Sequence, residues 1–104
     1  MDNKVVNINS IKVRFSKPYT FEGETYKEID LAGLNDLKAR DIAEIDKIFV
    51  SKGGNPVYSG LTLEYAIIVA NRVTGKPLEF FEGLPPKAAI QLKNEVISFF
   101  YTEE

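Results

Sequence analysis

The 104-residue sequence contains no histidine and no cysteine, and both absences limit its chemistry. Without cysteine the chain has no disulfide framework and no thiolate metal ligands. Without histidine it also lacks the commonest general base near neutral pH, and cysteine would have been the strongest nucleophile. Most hydrolase and transferase arrangements are therefore excluded, and we expect a protein that binds another protein, is not an enzyme and uses no cofactor.

Long apolar runs and a strong charge of one sign are also missing. The longest apolar run, from Ala66 to Ala70, is too short to cross a bilayer. The N-terminal residues contain no apolar segment of the length that a secretory signal needs. The formal net charge is −2, and no basic stripe is present that could neutralise several phosphates. These features predict a cytoplasmic protein that binds neither membranes nor nucleic acid.

The acidic residues and the glycines form no recognisable site. Asp41 and Glu44 are three residues apart on a predicted helix, which without histidine beside them is typical of a solvated surface. Gly53 and Gly54 are followed by an Asn-Pro pair rather than by a lysine and a helix start, so they do not match a phosphate-binding loop. We predict no catalytic, cofactor-binding or metal-binding residue.

Alternating apolar and polar residues predict a β-hairpin over residues 11–31. Its first strand places Ile11, Val13 and Phe15 on one face, and Gly23 supplies the tight turn. In the second strand, one face carries Tyr26, Glu28 and Asp30, and the other carries Thr25, Lys27, Ile29 and Leu31. Two strands alone are marginal in water, so helices or a third strand from Val5 to Ile8 must support them. Residues 1–10 are otherwise expected to be flexible.

Helical spacing of the apolar residues begins after the hairpin and predicts four helical segments within residues 34–101. These are an amphipathic helix from Leu34 to Phe49, a nearly all-apolar helix from Leu63 to Val73, a short turn from Leu78 to Glu82, and a last helix from Lys87 to Tyr101. Thr62 is the predicted N-cap of the apolar helix, which we expect to be central and buried.

The last helix carries a predicted apolar stripe of Ala89, Leu92, Val96 and Phe99, extended sideways by Ile90, Ile97 and Tyr101. Residues 1–104 are thus predicted to form a single α+β domain. Its architecture is an N-terminal β-hairpin followed by a predominantly helical bundle of three to four helices.

Adjacent aromatic residues occur twice, as Phe80-Phe81 and Phe99-Phe100. Neighbouring side chains on a helix point about 100° apart, so one member of each pair can face the core while the other faces elsewhere. Either the small domain buries all four rings, or some of them form an exposed patch that binds a partner or a second copy of the chain.

Four segments cover most of the chain in a distinctive order. They are KVRFSKPYTFEGETYKEIDL, LNDLKARDIAEIDKIF, YAIIVANRVTGKPLEFFEGLP and the closing EVISFF. Their order, spacing and total length resemble the tail assembly chaperones encoded by tailed bacteriophages and prophages.

This resemblance implies a helper outside the virion, acting in the cytoplasm of the bacterial host. It would bind the long, hydrophobic, largely helical tape-measure protein, keep it soluble and help recruit tail-tube protein. The residues expected to contact the client are Phe80, Phe81, Leu84, Phe100 and Tyr101, and self-association is also possible.

Two other functions remain open from the sequence. A tail completion or head-to-tail connector subunit would also be small, acidic and without catalytic groups, and it would form a closed ring. A small regulator would use the helices at residues 42–49 and 63–73 as a helix-turn-helix. Their connection is long for that motif, and the second helix is very apolar for a DNA groove.

Overall fold

The predicted hairpin is present, formed by strands β1 (Lys12–Phe21) and β2 (Glu24–Asp30) in antiparallel pairing. Its turn residues Glu22 and Gly23 both have positive φ, 50° and 84°, as a two-residue type I′ turn requires. The computed structural model describes residues 11–55 and 62–101. The predicted third strand at Val5–Ile8 and the predicted flexibility of residues 1–10 lie outside these ranges.

A bulge in β1 changes which side chains of β2 face the helices. Arg14 pairs with Glu28 and Tyr19 pairs with Tyr26, so between these pairs β1 advances by five residues while β2 advances by two. An odd excess of residues reverses the alternation of faces. Tyr26 packs on Phe80 and Ile29 is buried in the core, so both face the helical part, and the prediction that they lie on opposite faces is wrong.

The amphipathic segment predicted as one helix from Leu34 to Phe49 is divided in two. A 3-10 turn covers Ala32–Asp36, and helix α1 covers Ala39–Ser51. Between them Leu37 and Lys38 are extended, with ψ of 142° and 168°. The backbone N–H of Lys38 donates to Oδ2 of Asp41 at 2.8 Å, which defines the start of α1. The apolar spacing runs across this break because Leu37 is itself packed against the core.

The three remaining helices begin and end close to their predicted limits. They are α2 (Leu63–Thr74), α3 (Leu78–Glu82) and α4 (Pro86–Tyr101). The Thr62 hydroxyl accepts the N–H of Tyr65 at 3.1 Å, and Gly75 ends α2 with φ of 78°. Helix α2 contacts α1, α3 and α4, and most of its apolar side chains are buried, which confirms the prediction of a central helix.

Helix α4 packs on both α2 and β1. Its fully buried residues are Ala88, Leu92 and Val96, whereas Ala89 is only half-buried and Ile90 is 56% exposed. The buried stripe thus begins at Ala88, one position before the predicted Ala89. Oε1 of Gln91 accepts the N–H of Arg14 at 3.1 Å, so α4 covers part of the outer edge of β1. The result is an α+β arrangement of a hairpin followed by helices, as predicted.

Candidate partner-binding site

Three of the five predicted contact residues are buried. The exposed fractions are 0% for Phe80, 1% for Phe81 and 9% for Leu84. Of the two alternatives left open for the Phe80-Phe81 pair, the structure shows burial of both rings, so neither is available as the predicted client contact. Helix α3 carries this pair between the hairpin and α2, so both directions, about 100° apart, lead into packed protein.

Phe80 joins the hairpin to the helices. Its ring centroid lies 5.2 Å from that of Tyr19, 5.3 Å from Phe21 and 4.9 Å from Tyr26, and all three pairs are edge-to-face. The Tyr19 hydroxyl donates to the Phe80 carbonyl oxygen at 2.8 Å, and burial raises the pKa of Tyr19. Nζ of Lys76 lies 4.5 Å from the Tyr26 ring centroid and 5.3 Å from that of Phe80, a cation–π contact with both rings. These contacts give Phe80 a structural role.

The other two predicted contact residues lie together at the C-terminal end of α4. Tyr101 is 60% exposed, and Phe100 is half-buried with its ring 6.4 Å from that of Tyr65 and 6.5 Å from that of Tyr101. Phe99 is also half-buried, 5.5 Å from the Phe100 ring. We refer to Phe99, Phe100 and Tyr101 as the aromatic end. It is anchored on its inner side by Tyr65 and leaves ring surface accessible on its outer side.

Tyr65 and Asp46 form a polar pair beneath the aromatic end. Tyr65 is only 3% exposed, and its ring packs 5.5 Å from that of Phe49. Burial raises the pKa of Tyr65 above its usual value, and the nearby Asp46 carboxylate raises it further. Oδ1 of Asp46 is buried without a hydrogen-bond partner among the described residues. The apolar periodicity of the sequence does not predict this pair, because it places Asp46 on the polar, solvent-facing side of α1.

A groove between the end of α1, α2 and α3 was also not predicted. It has a volume of about 330 Å³, an apolar floor and a charged rim. The floor consists of Phe49, Ile67, Ile68 and Leu78, and the rim includes Lys52, Glu64 and Glu82. Gly54 on its wall precedes residues 56–61 in the sequence, which are outside the described ranges, and we assign no partner to this groove.

Asp41 and Glu44 form ion pairs that connect α1 to α2. Nη2 of Arg72 lies 2.8 Å from Oδ1 of Asp41 and also pairs with Glu44. The N–H of Lys38 and, secondarily, the Arg72 guanidinium lower the pKa of Asp41. The hydrogen bonds to Asp41 and then to Glu44 raise the pKa of Arg72. All three side chains reach solvent, as expected for a solvated surface, so these pairs connect two helices but contribute little to stability.

Within residues 11–55 and 62–101, no three acidic side chains are grouped so that they could hold a metal ion. Nor does this part of the chain contain a helix long and apolar enough to span a membrane. Comparisons with models of known protein families, with curated proteins and with solved structures found no match. The structure therefore defines the protein by its architecture alone. It is a small α+β protein with a hairpin docked on helices and an accessible aromatic end.

Proposed function

We propose that this protein is a non-catalytic phage tail assembly chaperone. In this proposal it binds the tape-measure protein in the cytoplasm of the bacterial host and assists assembly of the tail tube around it. The observation that carries the proposal is the aromatic end of α4, because it contains the two predicted contact residues that folding leaves accessible. The order of family-like segments along the chain adds independent support.

The chemistry of the aromatic end suits an apolar helical client. Such a client must be covered by apolar surface on an otherwise charged body, and it must be released later, which requires a modest contact area. Aromatic rings offer a large contact area and lose few rotamers on binding. Phe100 is held in place by Tyr65, so the neighbouring Tyr101 is presented from a fixed position. This arrangement favours a small contact surface that is already formed before the client binds.

Co-expression with the tape-measure protein of the same phage or prophage tests the proposal. We expect the wild-type chain to co-purify with it, and Tyr101→Ser to weaken capture roughly 5- to 30-fold, as for a central interface residue. Ile90→Ser is the matched control, because Ile90 is 56% exposed on the same helix but far from its C-terminal end. Thermal unfolding of each variant verifies that the fold is unchanged.

Two results would overturn the proposal. One is a wild-type chain that does not retain the tape-measure protein. The other is capture by Tyr101→Ser that equals capture by the wild type and by Ile90→Ser. Phe100→Ser is not suitable as the first variant, because the Phe100 ring also packs on Tyr65.

A further inference from the structure

A cleft between β1 and the start of α4 concentrates positive charge. It has a volume of about 210 Å³ and is lined by three cationic residues, Arg14, Lys17 and Lys87. Two neutral polar residues, Ser16 and Gln91, and three apolar ones, Phe15, Pro85 and Ala88, complete the lining. None of the lining residues is acidic. We refer to this feature as the cationic cleft.

The bulge in β1 and the start of α4 create the cleft. The bulge takes Ser16 and Lys17 out of regular pairing with β2, and the bond from the Arg14 N–H to Gln91 holds this part of β1 beside α4. Helix α4 has 16 residues and begins at Pro86, which has no N–H, and the Ala89 N–H donates to the Pro85 carbonyl oxygen, so in the first turn only the N–H groups of Lys87 and Ala88 have no acceptor within the helix. The positive end of the helix dipole adds to the charge of the side chains.

Among the described residues, the carboxylates of the elements that form the cleft do not neutralise it. The register places Glu28 opposite Arg14, but Oε2 of Glu28 is paired with Nζ of Lys12 at 3.3 Å. Strand β1 contains no acidic residue, and the first one in α4 is Glu95, more than two turns from Lys87. A chain with a net charge of −2 thus has a local excess of positive charge at one concave place.

We propose that the cationic cleft binds a carboxylate side chain from an acidic segment of a partner protein. The cleft is large enough for one side chain, its cations supply charged donors, and its apolar walls suit the methylene groups of a glutamate. Three cations in one cleft are fewer than a nucleic-acid binder needs to neutralise several phosphates. Charge complementarity of this kind sets the orientation and association rate of a partner.

This site is separate from the proposed client contact. Lys87 and Phe100 are 13 residues apart on one helix, so the two places are roughly 20 Å apart. The proposal therefore does not depend on the proposed chaperone function, and its variants do not touch the aromatic end.

Amide NMR with hexaglutamate as the probe tests the cleft, using the full chain at about 0.15 M salt. We expect shifts confined to Arg14, Lys17, Lys87, Ala88 and Gln91, and we expect them to shrink at higher salt. The double variant Lys17→Glu/Lys87→Glu should bind at least about tenfold more weakly, since two attractive contacts become repulsive. Lys27→Glu/Lys47→Glu, at two exposed lysines outside the cleft, makes the same change in net charge and should bind like the wild type.

Four outcomes would overturn the proposal. The first is shifts spread over lysines outside the cleft, and the second is an equal loss of binding in both double variants. The third is inorganic phosphate that produces the same shifts at equal or lower concentration, which would identify a small-anion site. The fourth is duplex DNA that displaces hexaglutamate at physiological salt, which would identify a nucleic-acid surface.

Discussion

At the scale of single residues, Tyr65 shows how burial and a neighbouring charge act together. Its side chain is 3% exposed at the junction of α1, α2 and α4, with the Asp46 carboxylate close to its hydroxyl. A phenolate there would lose water and face a like charge, so the folded protein holds the Tyr65 proton more tightly than the unfolded chain does. The pKa of Tyr65 is accordingly raised from its ordinary value of 10.0.

This shift predicts a loss of stability in alkaline solution. Above about pH 10 the unfolded chain releases the Tyr65 proton while the folded protein keeps it, so each further pH unit lowers the free energy of unfolding by up to about 1.4 kcal/mol. Tyr19 and Tyr26, whose pKa values are also raised, add to the decline. Below about pH 10 the contribution of Tyr65 is fully present.

Urea unfolding of wild type and Tyr65→Phe at about pH 9 and about pH 11 isolates the contribution of Tyr65. Phenylalanine cannot ionise, so we expect the variant to lose less stability than the wild type between the two pH values. Because all other titrating groups are shared, their effects cancel in this difference. Equal losses in the two proteins would contradict the prediction.

At the scale of secondary-structure elements, the five-residue helix α3 connects the hairpin to the rest of the fold. A two-stranded hairpin is marginal by itself in water, so it needs an apolar surface to pack on. Phe80 provides much of it, because it contacts three aromatic rings of the hairpin and receives a hydrogen bond from Tyr19 at its carbonyl oxygen. The neighbouring ring of Phe81 is 5.0 Å away and is buried in the same core.

Phe80→Ala should therefore lower the free energy of unfolding by about 3–5 kcal/mol, the usual loss for a buried phenylalanine. Tyr101→Ala, at a site that is 60% exposed, should lower it by less than about 1 kcal/mol. Urea unfolding at neutral pH measures both changes. A loss of less than about 1 kcal/mol for Phe80→Ala would contradict the structural role given to this ring.

At the scale of the whole molecule, the exposed large apolar side chains among the described residues are distributed over two helices. They are Ile48 and Val50 on α1, and Ile90 and Tyr101 on α4. Stable self-association normally needs a continuous, well-packed interface of about 1,000 Å² or more, which is much larger than four single side chains supply. This distribution favours a monomer or a loose oligomer over a closed ring.

Size-exclusion chromatography with light scattering should accordingly give a mass near the 11.7 kDa of one chain at micromolar concentration. The chaperone proposal fits a monomer or a weak, concentration-dependent oligomer. A stable ring of defined subunit number would instead favour the tail completion or head-to-tail connector alternative.

The helix-turn-helix alternative is disfavoured by the position of α2. Its recognition helix would have to present side chains to a DNA groove. In this fold Tyr65, Ile68 and Val69 are buried against neighbouring helices. A helix enclosed in this way cannot enter a groove without unfolding its own core.

The sequence alone determined the local features of this protein. The hairpin turn at Gly23 and the cap at Thr62 match the structure, and α2 and α4 begin and end within one residue of their predicted limits. They could be predicted because each depends on the backbone preference or hydrogen-bonding group of one residue. The central position of α2 followed from its apolar composition alone.

Only the tertiary structure decided which surfaces remain for binding. The bulge in β1 turned Tyr26 inward, the docking of the hairpin buried Phe80 and Phe81, and the same bulge brought Lys17 beside Lys87. Each outcome depends on a neighbour that is distant in the sequence, and apolar periodicity carries no information about such neighbours. Among the described residues, the surfaces for which we propose binding are thus the aromatic end at one end of α4 and the cationic cleft at the other.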